Sequence, residues 1–145
     1  MALVSISVGS NIDRENHIRT AIDKLRNQFG TITLSPVYQT EAVGFEGEDF
    51  LNLVVDFNTE QDVYAVVSTL KSIEQQMGRK RSQPKFTARI IDLDLLTYDD
   101  LILNQDGVQI PRDEILRYAF VLTPLSDIHG DCTHPGMDKS YSQLW

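Results

Sequence analysis

The chain has a single cysteine, Cys132, in 145 residues. No intrachain disulfide can form, and a reducing compartment suits such a sequence. No apolar run approaches the roughly 20 residues that a membrane span needs. The start, Met1-Ala2-Leu3-Val4-Ser5-Ile6, lacks the basic head and long apolar core of a secretory signal. These absences predict a cytoplasmic protein with no membrane association. A general basic face is missing too. With 21 acidic against 13 basic residues the net charge is −8, which argues against nucleic-acid binding. A regulatory or RNA-binding module of ferredoxin-like form is further disfavoured by the lack of an aromatic-rich RNP-type strand. No GxxxxGK[ST] phosphate loop occurs, and Gly44-x-x-Gly47 is too weak a substitute. There is no Gly-x-Ser-x-Gly elbow, no internal repeat, no low-complexity stretch and no interdomain linker, so residues 1–145 are expected to form one domain.

Against that acidic background one stretch stands out. Ala88-Arg89-Ile90-Ile91-Asp92-Leu93-Asp94-Leu95-Leu96 has the β-branched and leucine content of a strand. Alternation along a strand puts Asp92 and Asp94 on one face and Ile91, Leu93 and Leu95 on the other. Carboxylates two residues apart, roughly 7 Å between Cα atoms, repel each other unless water or cations intervene. Upstream, Arg79, Lys80, Arg81, Lys85 and Arg89 crowd into a run that no acid interrupts between Met77 and Ile91. A solvated loop beside an exposed strand face is the plain reading. The adjacency favours a sharper one, because arginines neutralise phosphate oxygens while aspartates hold Mg²⁺. The pair suggests a polyphosphate carrying a divalent metal.

The rest of the chain supplies a frame. Ala2 to Val8 reads as a strand, and Gly9-Ser10-Asn11 turns the chain. From Asp13, Ile18, Ala21, Ile22, Leu25 and Phe29 recur at helical spacing, with Gly30 closing the helix. Thr31 to Gln39 is a strand that Pro36 marks as an edge or bulge. Residues 40–49 form a loop long enough to bind something. Phe50 to Phe57 returns to strand. Thr59 with Asp62 looks like a capping box for a helix whose buried face is Val63, Val66, Val67, Leu70, Ile73 and Met77. The order β-α-β-β-α-β is the split βαβ arrangement of ferredoxin-like α+β domains. A small C-terminal extension follows, with a hairpin expected from Asp99-Asp100 into Leu101–Leu103, a brief helix opened by Pro111 and Asp113, and an apolar segment from Tyr118 to Ile128. The group His129-x-Asp131-Cys132-x-His134 invites a zinc reading, but no second ligand pair supports it. Asn52, a polar amide between Leu51 and Leu53, needs partners that a heterocyclic ligand edge could supply.

Taken together these residues resemble the signature of the 6-hydroxymethyl-7,8-dihydropterin pyrophosphokinase family of the folate pathway. The resemblance rests on Gly78-Arg79-Lys80-Arg81 through Ala88 to Leu96, on Gly9-Ser10-Asn11, Tyr38-x-Thr40, Val43-Gly44 and Phe50-Leu51-Asn52, and on Ala119-Phe120-Val121-Leu122-x-Pro124-Leu125 with His134-Pro135. It implies transfer of pyrophosphate from ATP to the hydroxymethyl group of a reduced pterin, with AMP released. By resemblance, Asp92 and Asp94 would hold two Mg²⁺ ions. Arg79 and Arg89 would bind phosphate and stabilise transition-state charge, and Glu74 and Arg81 would help to seat ATP. The pterin would stack between Phe50 and Phe120 and be read by Asn52 and the backbone of Thr40 and Val43. No nucleic acid or membrane partner is implied, and a monomer is expected. Two departures stand out: Arg112 where the family usually has His after Pro111, and Tyr118 where it usually has Arg before the Ala-Phe pair. We expect Arg112 to take over phosphate contact from that missing pair. The alternative is a diverged pterin- or nucleotide-binding paralogue with weak or no transfer.

Overall fold

A computed structural model of the chain describes residues 1–40, 49–78, 90–130, 132, 134–137 and 139–144, without the side chains of Arg117, Ala119 and Phe120. Within it run β1 (Ala2–Ser10), α1 (Arg14–Phe29), β2 (Ile32–Leu34), β3 (Tyr38–Thr40), β4 (Phe50–Thr59), α2 (Val63–Gln76), β5 (Asp92–Tyr98), β6 (Leu103–Gln105), β7 (Val108–Ile110), α3 (Glu114–Arg117), α4 (Ala119–His129) and α5 (Tyr141–Leu144).

β1 lies between β4 and β5, both antiparallel to it, while β2 and β3 pair side by side with β4. Taking β2 and β3 as one interrupted strand, the order is that of the ferredoxin-like α+β fold. The interruption falls at Ser35-Pro36-Val37, since proline cannot donate to a ladder. Ser35 bridges the gap, its backbone N–H donating to the Val54 carbonyl and its Oγ accepting the Val54 N–H, both at 2.9 Å.

The two sheet faces differ in chemistry. Val4, Ile6, Val8, Leu53, Val55, Phe57, Leu93 and Leu95 point to α1 and α2, which answer with Ile18, Ala21, Ile22 and Leu25, and with Val63, Val66, Leu70 and Ile73. Each of these side chains larger than Ala21 contributes about 1.5–3 kcal/mol on burial. The opposite face carries three rows in register: Asp56–Ser5–Thr97, Val54–Ser7–Asp94 and Asn52–Gly9–Asp92. Here α4 packs on β3 and β4. Ile115, Val121, Leu125 and Tyr141 join Val54 and Leu96 in a second buried cluster. Leu95 and Leu96 face opposite sides by simple alternation; the β1–β5 register slips between Ser5 and Ile6, so Leu96 is the extra residue of a bulge in β5 and Thr97 aligns with Ser5.

Three local expectations need correction. The cap of α2 is Asp62, whose carboxylate accepts the Ala65 N–H at 2.8 Å; Thr59 ends β4 and accepts the Gln61 N–H instead. The hairpin after Tyr98 forms one turn later, between β6 and β7. Asp106 and Gly107 both have positive φ there, as a two-residue Asp-Gly turn demands. The strand around the aspartates begins at Asp92. Among the described residues no helix is long and apolar enough to cross a membrane.

Candidate active site

The lower end of the polar sheet face gathers the residues singled out above. Asp92 and Asp94 share a face of β5, as alternation predicts, and both are partly buried. Gly9 pairs with Asp92 on one side and Asn52 on the other, so one row crosses three strands and spans roughly 10 Å, two interstrand spacings. Phe50, two residues before Asn52 on β4, belongs to the same face. Asn52 is 5% exposed, and its Nδ2 donates to Thr40 Oγ1 at 2.8 Å. Gly9 leaves room for that amide: a Cβ there would lie 2.7 Å from Asn52 Oδ1.

Asp94 has an unusual electrostatic setting. Burial pushes its carboxyl up to about 8, and the neighbouring charge of Asp92 adds to the rise. Arg112 pulls the other way, its Nη2 3.5 Å from Asp94 Oδ1. The same guanidinium reaches Glu114, with Nε 3.2 Å from Oε2 and Nη2 3.4 Å from Oε1. The Arg112 backbone N–H donates to the Leu96 carbonyl at 3.0 Å, which fixes this segment alongside β5. A carboxylate pair held close against its own repulsion is the setting in which a hard divalent cation is taken up. Among the described residues no group of three or more His, Cys, Asp or Glu side chains gathers. Two carboxylates therefore fit Mg²⁺, which keeps most of its positions for water and phosphate oxygens.

Beneath the pair lies Glu74, 0% exposed, accepting the Leu93 backbone N–H at 2.9 Å. Leu93 separates the two aspartates, so Glu74 holds the segment of β5 that aims them. Beside them, between α2, β5 and β7, opens a cavity of about 180 Å³ whose lining includes Val67, Lys71, Gln109, Asp94 and Arg112. No local residue pattern announces it, because its walls come from three separated segments.

The other expected residues divide. Arg79, Arg81, Arg89 and Val43 lie outside the described residues, as does the side chain of Phe120, which is the second residue of α4. Tyr118, the residue joining α3 to α4, packs against the second buried cluster. Among the described residues, which leave out Asp131, nothing supports the zinc reading: His129 Nε2 pairs with buried Asp56, and His134 stands edge-on to Tyr141 at 5.6 Å. Cys132 Sγ lies 3.6 Å from His129 Nδ1.

Residues 5–130 match the family described as 7,8-dihydro-6-hydroxymethylpterin-pyrophosphokinase (HPPK). The chain is 33% identical over 137 residues to the 2-amino-4-hydroxy-6-hydroxymethyldihydropteridine pyrophosphokinase of Aquifex aeolicus, covering 93% of this chain and 85% of the relative. Its similarity to the enzyme of the same name from Bacillus subtilis is 32% over 149 residues, covering 97% and 88%. The fold is shared with a crystal structure of Plasmodium falciparum HPPK-DHPS, with a TM-score of 0.76 at 15% identity. That alignment covers 99% of this chain and 43% of the solved one, so this chain spans under half of the longer protein.

Proposed function

Because the chain belongs to the 7,8-dihydro-6-hydroxymethylpterin-pyrophosphokinase family, and is thus an ATP-dependent diphosphotransferase of folate synthesis, we propose that transfer runs along the row from β5 to β4. The observation that carries this layout is the register Asn52–Gly9–Asp92 on one open sheet face, with Asp94 beside it and a cavity at its outer edge. The nucleotide occupies the cavity between α2 and β7, with its phosphates reaching Asp94 and Arg112. The pterin lies at the other end, its polar edge read by Asn52 and the backbone of Thr40 and Val43, its faces against Phe50 and Phe120. Stacking on aromatics suits a flat heterocycle.

Asp92 and Asp94 are the residues that would hold Mg²⁺, two ions in this reading. The bound metal would neutralise polyphosphate charge and polarise the transferring group. The chain's own residues do the rest. Arg112 grips phosphate oxygens from the cavity side, and Arg79, Arg81 and Arg89 are proposed to do so from the basic loop. Glu74 acts through β5 by fixing Leu93. The face positions the pterin hydroxymethyl oxygen in line with the β-phosphorus, and in-line phosphoryl transfer needs little more than position and charge neutralisation. We propose that the chain acts as one domain and as a monomer.

Paramagnetic broadening tests the layout. Mn²⁺ with a non-hydrolysable ATP analogue should broaden the resonances of bound hydroxymethyl-dihydropterin in the wild type and not in Asp92→Asn. Equal broadening in both would place the metal elsewhere.

Gly9→Ala offers a second check. The added Cβ must displace the Asn52 amide, which lies 2.7 Å away. Since the far end of a side chain yields easily, stability should change by under about 1.5 kcal/mol. Pterin affinity should fall by about tenfold while ATP-analogue affinity holds, for loss of one good hydrogen-bonding geometry. Calorimetric titration of each ligand separately reads both effects.

A further inference from the structure

Arg112 does more than wait for phosphate. Among the described residues it is the cation set against the aspartate pair, and it bridges two acids. Asp94 lies 3.5 Å from Nη2 on one side, and Glu114 lies 3.2 and 3.4 Å from Nε and Nη2 on the other. Its backbone is tied to Leu96, two residues beyond Asp94, so the stem cannot drift away while the head exchanges partners. The guanidinium is two-thirds buried and permanently charged. A lone hydrated dication approaching Asp94 therefore meets a positive charge already in place.

We propose that Arg112 is the resident counter-ion of Asp94, refusing a lone divalent cation and yielding the carboxylate only to one that arrives with a polyphosphate. The phosphate oxygens offer the guanidinium a fork of acceptors. Glu114 keeps the head at the site mouth during the exchange. Leaving Asp94 for phosphate costs Arg112 no charge partner, and Asp94 exchanges one cation for another. Metal and nucleotide are thereby made to bind with positive coupling, and linkage requires each to tighten the other by the same factor. Arg112 acts here as a positioning residue for the metal pair, and the inference rests on the reading of Asp92 and Asp94 as metal ligands.

The experiment is a set of Mn²⁺ titrations followed by electron paramagnetic resonance, with and without a non-hydrolysable ATP analogue. It compares the wild-type chain with Arg112→Gln, Arg112→Lys and Asp94→Asn. Arg112→Gln should bind Mn²⁺ alone about tenfold more tightly, with the Mn²⁺–nucleotide coupling reduced by at least a similar factor. Arg112→Lys, which keeps the charge, should stay near wild type for Mn²⁺ alone. Thermal melts and pterin titrations check that each variant is folded, and Arg112→Met replaces Gln if Gln destabilises. Should Arg112→Gln leave the affinity for Mn²⁺ alone unchanged while Asp94→Asn lowers Mn²⁺ affinity in the presence of the ATP analogue, the counter-ion role is wrong and the metal pair stands. Should Asp94→Asn leave Mn²⁺ affinity in the presence of the ATP analogue unchanged, the metal reading itself fails and takes this inference with it.

Discussion

Asp94→Asn is expected to abolish pyrophosphate transfer and, in the metal-free protein, to raise the midpoint of thermal unfolding. Loss of a charge proposed to hold the metal should lower the rate by at least about 10²–10³-fold, the scale of removing one preorganised electrostatic contact. The stability gain follows from the same carboxylate. Burial and the charge of Asp92 hold the Asp94 carboxyl near 8, against an ordinary value of 3.8. Between those values the folded protein keeps a proton that the unfolded chain has released. The favourable contribution is therefore fully present below pH about 4 and is lost as pH rises through about 8. Asparagine removes that loss. The gain over wild type in EDTA should grow from pH 6 to pH 9, with each kcal/mol recovered worth about 2–4 °C at this chain length. Calorimetric melts across that range decide the matter. A variant as unstable as wild type at pH 9 would show that the carboxylate is not held under repulsion.

Asn52→Ala should separate the two substrates. The Asn52 side chain is buried at the end of the row farthest from the cavity, with Nδ2 committed to Thr40 and Oδ1 against Gly9. Removing it takes away the amide proposed to read the pterin edge and leaves the Thr40 hydroxyl without that donor. Hydrogen bonds left unmade at a buried site cost about 1–3 kcal/mol. Pterin affinity should accordingly fall by roughly 10- to 100-fold, and the affinity for an ATP analogue should hold. Equal losses for both ligands would point to general unfolding or to a pterin site elsewhere.

Much of this arrangement was legible in the residues, and what escaped did so for physical reasons. Period-two alternation alone placed Asp92 and Asp94 on one face, and the apolar stripes of α1 and α2 placed the opposite face of the sheet in the core. Pro36 marked an edge or a bulge in one strand; the strand instead breaks there, into β2 and β3. The apolar pair Leu101-Ile102 suggested a strand too early, while Asp106-Gly107 carried the stronger hairpin signal a few residues later. The contact of Arg112 with Asp94 could not be read, because it depends on a bulge at Leu96 and on the β6–β7 excursion returning Arg112 to β5. The cavity was hidden likewise, since Val67, Lys71 and Gln109 meet only after α2 and β7 close on β5. Gly9 looked like a turn residue. Its real constraint is the space that Asn52 occupies from the neighbouring strand.

The most direct measurement is a ³¹P NMR time course of ATP, Mg²⁺ and 6-hydroxymethyl-7,8-dihydropterin with the wild-type chain and with Asp94→Asn. AMP and the pterin diphosphate should appear in equal amounts with wild type, only when all three components are present, and neither should appear with the variant. ADP in place of AMP, no pterin-linked phosphorus signal, or undiminished turnover by Asp94→Asn would contradict the proposed transfer.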